Sequence, residues 1–126
     1  MPSIDYLELV DLLEIANSII PNCHVRDLGL LESAAARPKT TIMGVDAYKS
    51  FEEKAAALMH ALARNHPLLD GNKRLAWSAV RVFCLLNGRD IKYSVVETEL
   101  LIVGVARGDY EVQEITGLLR IVKSPN

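Results

Sequence analysis

The chain has 126 residues, of which 50% are hydrophobic and 24% charged, with 14 Lys and Arg against 16 Asp and Glu for a formal net charge of -2. This balance describes one soluble globular domain over residues 1–126 and excludes an intrinsically disordered chain. It also excludes a protein that lives by gripping a phosphate backbone, since such domains carry a clear basic excess; no direct nucleic-acid partner is expected.

Cys23 and Cys84 have no CxxC spacing, and with three scattered histidines they form no zinc pattern. Asp5, Glu8, Asp11 and Glu14 interrupt the N-terminal apolar residues, so no signal peptide is read there. No stretch approaches the roughly 20 apolar residues of a bilayer span. A cytoplasmic protein with free thiols and no membrane partner is expected.

Taken in order, the apolar spacing predicts helices separated by turns. Ile4, Leu7, Leu12, Ala16 and Ile19 follow a helical period, with Ser3 as the cap and Pro21 as the stop. Asp27 caps a second helix over residues 28–36, which Pro38 ends. Residues 38–49 have β-like composition and predict a short flap or hairpin. Ser50 and Glu53 form a capping box that opens a third helix, running to about Asn65. A fourth helix covers about Asn72 to Asn87, apolar on most sides and so expected to be the central one, with Gly88 as its C-cap. Ser94 and Glu97 open a fifth helix that ends near Gly108, and a sixth covers residues 112–122. The fold class expected is all-α.

The chemistry gathers in His66–Arg74, HPLLDGNKR. A helix ends, a tight loop follows, and a new helix starts. The loop carries a possible base (His66), a carboxylate (Asp70), an amide (Asn72) and two cations (Lys73, Arg74), and Gly71 permits close approach of a ligand. Lys73 and Arg74 lie in the first turn of a helix, where the dipole disfavours positive charge. A phosphate chain would relieve that conflict. Asp70 suits Mg²⁺ bridging phosphate oxygens, and His66 suits proton removal from an attacking hydroxyl. Each residue alone also has an ordinary structural reading: Asp70 as a helix cap, His66 as a helix end, the cations as a solvated face. The spacing is not that of a Walker loop, which would need Gly at position 66.

HPLLDGNKR resembles the signature loop of the Fic/Doc family, in the Doc branch that has Asn-Lys-Arg where Fic enzymes have Asn-Gly-Arg. The upstream segment RDLGLLESAAARP, residues 26–38, also looks like the Doc type. The resemblance implies a compact six-helix Fic-type fold with a short flap before the third helix. It implies a toxin of a type II toxin–antitoxin pair, a protein kinase moving the γ-phosphate of ATP to a hydroxyl of translation elongation factor Tu. A Phd-like antitoxin is the implied partner, and the free toxin is expected to be a monomer. His66 would then be the general base and Asp70 the Mg²⁺ ligand. Gly71, Asn72, Lys73 and Arg74 would hold the phosphates, with Arg64 as an added contact.

Two positions depart from the family pattern. Leu68 stands where the family has Phe, and should keep the loop anchored. Trp77 stands where Fic AMP-transferases carry a second arginine, with Arg81 as a partial substitute. Two alternatives remain beside the kinase: AMP transfer to another protein, and a catalytically inactive helical binding module. His60 and Cys84 read as packed residues. Thr40, Thr41 and Ile42 could pair with an extended target segment. The faces of Leu7, Val10 and residues 100–105 are candidates for an antitoxin groove.

Overall fold

The computed structural model describes residues 3–124. In chain order it contains α1 (Leu9–Ile19), α2 (Leu28–Ala36), a 3₁₀ turn (Arg37–Lys39), β1 (Thr41–Ile42), β2 (Val45–Asp46), α3 (Phe51–Asn65), α4 (Asn72–Leu86), β3 (Arg89–Ile91), α5 (Val95–Arg107), α6 (Val112–Leu118) and β4 (Ile121–Lys123). The fold is therefore mostly α, with six helices among the described residues and a flap ahead of the third.

Local rules place most helix starts. Asp27 Oδ1 accepts from the Leu30 N–H at 3.0 Å. Ser50 and Glu53 cap α3 reciprocally, as Ser94 and Glu97 cap α5. The flap is a hairpin pairing Thr41 with Asp46 and Ile42 with Val45. Its turn residues, Met43 and Gly44, both have positive φ, as a two-residue hairpin requires.

Three expectations are corrected. First, Ser3 does not cap α1. Residues 3–7 are non-helical, and Asp5 is held at the far end of α4, its N–H donating to Asn87 Oδ1 at 2.9 Å while Asn87 Nδ2 donates to its carbonyl at 3.0 Å. The helix starts after Glu8, whose N–H donates to Asp11 Oδ2 at 2.8 Å. Second, the last helix stops at Leu118. Residues 121–123 turn back as β4 and pair antiparallel with β3, Asp90 opposite Val122. Third, the central helix is α3, not α4. Ten of the fifteen residues of α3 are buried against seven of fifteen in α4, where Leu85 and Leu86 face solvent. The small side chains of Ala55, Ala56, Ala61 and Ala63 let α2, α4, α5 and α6 all pack on α3.

The core runs from Leu12 and Leu31 through Leu58, Met59 and Leu62 to Leu75, Val80 and Phe83. Phe51 and Phe83 stack with ring centroids 4.7 Å apart. Among the groove candidates, Leu7, Leu101, Ile102 and Val105 belong to this core, while Val10, Leu100 and Val103 are exposed. No helix among the described residues is long and apolar enough to cross a membrane.

Two glycines give opposite expectations. A β-carbon at Gly104 would lie 2.5 Å from Tyr110 Cε2, whereas at Gly117 nothing lies within 4 Å. Urea unfolding should show Gly104→Ala less stable by about 1–3 kcal/mol. Gly117→Ala should be unchanged or more stable by up to about 1 kcal/mol. Equal effects of the two would contradict this packing.

Candidate active site

The α3–α4 connection is built on two left-handed residues. His66 ends α3 at φ 51°, and Gly71 precedes α4 at φ 88°. Left-handed backbone is costly for a residue with a β-carbon, so His66 needs outside support. At position 71 only glycine fits on two grounds: its φ, and a β-carbon that would meet Ile20 Cδ1 at 2.6 Å. Between them Pro67 and Leu68 are buried, and Leu68 anchors the loop in the core in place of the family's Phe.

The loop is closed from inside by Asn72. Its Oδ1 accepts from the Leu68 N–H at 2.9 Å and its Nδ2 donates to the Leu68 carbonyl at 3.0 Å, in buried surroundings. Both polar functions of this amide hold the loop, so what Asn72 can offer a phosphate is its backbone N–H.

The loop is closed from outside by residues 24–27, between α1 and α2. The Leu69 N–H donates to the His24 carbonyl, Val25 bridges Leu68, and the N–H groups of Arg26 and Asp27 both donate to the Pro67 carbonyl. Arg26 Nε and Nη2 donate to the His66 carbonyl at 2.8 and 2.5 Å, and Nη2 also to that of Asn65 at 3.0 Å. Sequence reading gives Arg26 no role. Its signals were its place beside the Asp27 cap and at the head of the Doc-like segment 26–38; backbone carbonyls as partners leave no motif of their own.

The charged residues divide into two groups. His66, Asp70, Lys73 and Arg74 are all exposed and cluster where α3 gives way to α4. Asp70 does not cap α4: its Oδ1 accepts from the adjacent Gly71 N–H at 2.9 Å, and α4 starts without a side-chain cap. Lys73 has no ion-pair partner among the described residues. Arg74 Nη1 donates to the Ile19 carbonyl at 3.2 Å, at the C-terminal end of α1.

Arg64 and Arg81 have partners on other elements. The Arg64 guanidinium packs on the end of α5, its Cζ 3.3 Å from where a Gly108 β-carbon would be. Arg81 pairs with Asp90 through both Nε and Nη2. Trp77 packs beside Tyr93, with ring centroids 6.0 Å apart.

His60 lies on α3, away from the loop. Its Nδ1 is 2.7 Å from Arg37 Nη1, which makes that nitrogen the acceptor and leaves the proton on Nε2. Nε2 is 3.4 Å from Glu111 Oε1 but makes no hydrogen bond in this geometry. Burial lowers the His60 pKa from its ordinary 6.5, with Arg37 and Arg64 adding to the effect and the Glu111 carboxylate opposing it. Burial pushes the Cys84 thiol up to about 12, which leaves it inert in the core. Among the described residues no three His, Cys, Asp or Glu side chains gather as a metal cluster.

A mostly helical chain that breaks two packed helices with a His-to-Arg loop of this kind is a Fic-type domain, and the chain belongs to the Fic/DOC family, which it matches over residues 6–84. Within that family it falls in the Doc branch. It is 44% identical over 119 residues to the protein named toxin Doc from Mycolicibacterium smegmatis, 91% of each chain being covered.

Two outcomes test this geometry. Asn72→Ala leaves the buried N–H and carbonyl of Leu68 unpaired and should cost about 2–4 kcal/mol in chemical denaturation. A loss within experimental error would remove Asn72 as the clamp. For His60 the unfolded chain binds the proton more readily than the folded one. Its contribution to stability is therefore full above pH 6.5 and declines as pH falls below that value. His60→Asn keeps an acceptor for Arg37, and its urea midpoint should depend less on pH between 7 and 5 than the parent's. Parallel pH curves would contradict a depressed His60.

Proposed function

We propose that the protein is a Doc-type toxin kinase, transferring the γ-phosphate of ATP to a hydroxyl of a translation factor, elongation factor Tu, and so stopping protein synthesis. The name of the Mycolicibacterium smegmatis relative supports the toxin part of this reading. The single observation that carries the chemistry is the start of α4. This fifteen-residue helix begins with no side-chain cap, and Lys73 and Arg74 occupy its first turn. Free N–H groups, the positive end of the dipole and two cations form a cradle for a phosphate chain.

The residues supply one part each of a phosphoryl transfer. The N–H groups of Asn72, Lys73 and Arg74, with both cationic side chains, bind and neutralise phosphate oxygens. His66 takes the proton from the acceptor hydroxyl. The acceptor oxygen then bonds to the γ-phosphorus, the bond from that phosphorus to the bridging oxygen breaks, and ADP leaves.

Asp70 is exposed and makes one hydrogen bond, through Oδ1 to Gly71, so the carboxylate fits a magnesium ion that takes one protein oxygen and completes its shell with phosphates and water. Bound there, Mg²⁺ would neutralise charge developing on the phosphates.

Transfer of AMP is the second reading, and two observations weigh against it. The second cradle arginine is replaced by Trp77, which packs on Tyr93, and Arg81 is engaged by Asp90. The flap, exposed from Thr40 to Asp46, offers an edge to which an extended target segment can add. The apolar stripe of Val96, Leu100 and Val103 on α5, solvent-exposed, supports control by a Phd-like antitoxin that covers apolar surface.

The test is ATP labelled at the α or the γ position, with Mg²⁺ and a cell extract as acceptor. Label should pass to protein from the γ position alone, and His66→Ala and Asp70→Ala should each reduce it by at least about 100-fold. Transfer from the α position would establish AMP transfer instead. No transfer from either, with His66→Ala indistinguishable from the parent, would establish a binding module.

A further inference from the structure

We infer that Arg26 is a positioning residue for His66, setting the orientation of the proposed base from outside the loop. Among the described residues, the His66 carbonyl receives hydrogen bonds from Arg26 alone, and from two of its nitrogens. The same guanidinium reaches Asn65, so it spans the last residue of α3 and the left-handed residue that ends it. A forked donor fits this task, because two N–H groups in one plane fix the direction of a carbonyl as a point charge does not. Fixing this carbonyl fixes ψ at His66, and with it the direction in which the Cα–Cβ bond leaves the loop. The backbone donors of Arg26 and Asp27 to Pro67 hold the next carbonyl, so one short segment fixes two successive peptide planes.

A cation near a helix C-terminus also has a general stabilising role. The two roles separate experimentally. Arg26 is exposed, so Arg26→Ala leaves no cavity and should fold.

The inference rests on His66 acting as base, and the experiment separates the two ideas. With γ-labelled ATP, Arg26→Ala should lower kcat by about 100-fold with KM for ATP changed less than about two-fold. Arg26→Lys should recover little of it, and added guanidinium ion should recover part. In a His66→Ala background, Arg26→Ala should change the residual rate by less than about two-fold, since there is no base left to orient. In either background the amide of Leu69, held by His24, should exchange at least about ten-fold faster. Unchanged kcat in Arg26→Ala, or effects that multiply in the double variant, would overturn the inference. If the parent transfers no label, the kinase reading fails. The exchange of Leu69 then decides alone: faster exchange sustains Arg26 as the support of the loop, and unchanged exchange removes it.

Discussion

The site depends on one backbone event, a non-glycine residue held in the left-handed region at the end of α3. Pro67 disfavours a further right-handed helical residue at His66, but the extended region stayed open to it at little cost, and the chain would then have left the core without this turn. The His66 φ of 51° carries a penalty of roughly 1–3 kcal/mol that the surroundings must offset. The offset comes from three directions: Asn72 within the loop, the 24–27 segment across it, and Leu68 beneath it. None of these contacts involves the imidazole. The fold thus fixes the backbone of His66 completely and leaves its side chain exposed for chemistry.

The same economy appears in the electrostatics. Two cations in the first turn of α4 oppose its dipole, and nothing on the helix itself compensates them. Arg74 gains partial relief from the Ile19 carbonyl, because the negative end of α1 meets the positive end of α4 there. Lys73 has no such relief among the described residues. An anion bound at this helix start would satisfy the free N–H groups and both cations together, which supports a phosphate ligand more strongly than any one residue does.

How much of this was legible in the sequence follows from the range of each interaction. Caps at Asp27, Ser50 and Ser94 act over three residues and were readable. So were the flap and the residues of the loop, which are contiguous. Ser3 misled because the contact that keeps residues 3–7 out of a helix comes from Asn87, 82 positions from Asp5. The β3–β4 pair escaped because each strand has three residues, too few to show a period of two, although the β-branched Ile121–Val122 was a faint signal. The central helix was misjudged because apolar content was weighed above side-chain size. Alanines make α3 the helix that others can approach from several sides. Arg64 and Arg81 were named from the sequence but their partners were not legible, for a related reason: a long cationic side chain takes whatever partner the tertiary structure brings, the end of α5 for one and Asp90 for the other.

The family match ends at residue 84, and the segment beyond it explains a departure within it. Trp77 and Arg81 lie on α4, inside the matched region, yet their partners Tyr93 and Asp90 come from beyond it. Once β3 packs along α4, the face that carries a second cradle arginine in Fic AMP-transferases becomes an interface, and an aromatic residue serves there better than a charge. The proposed phosphate cradle is then confined to the first turn of α4. A binding surface one turn long grips one end of a phosphate chain and leaves the rest unheld. In the proposed kinase reading this favours reaction at the phosphate lodged there, so the change from arginine to Trp77 would bear on which phosphorus is attacked as well as on how the helix packs.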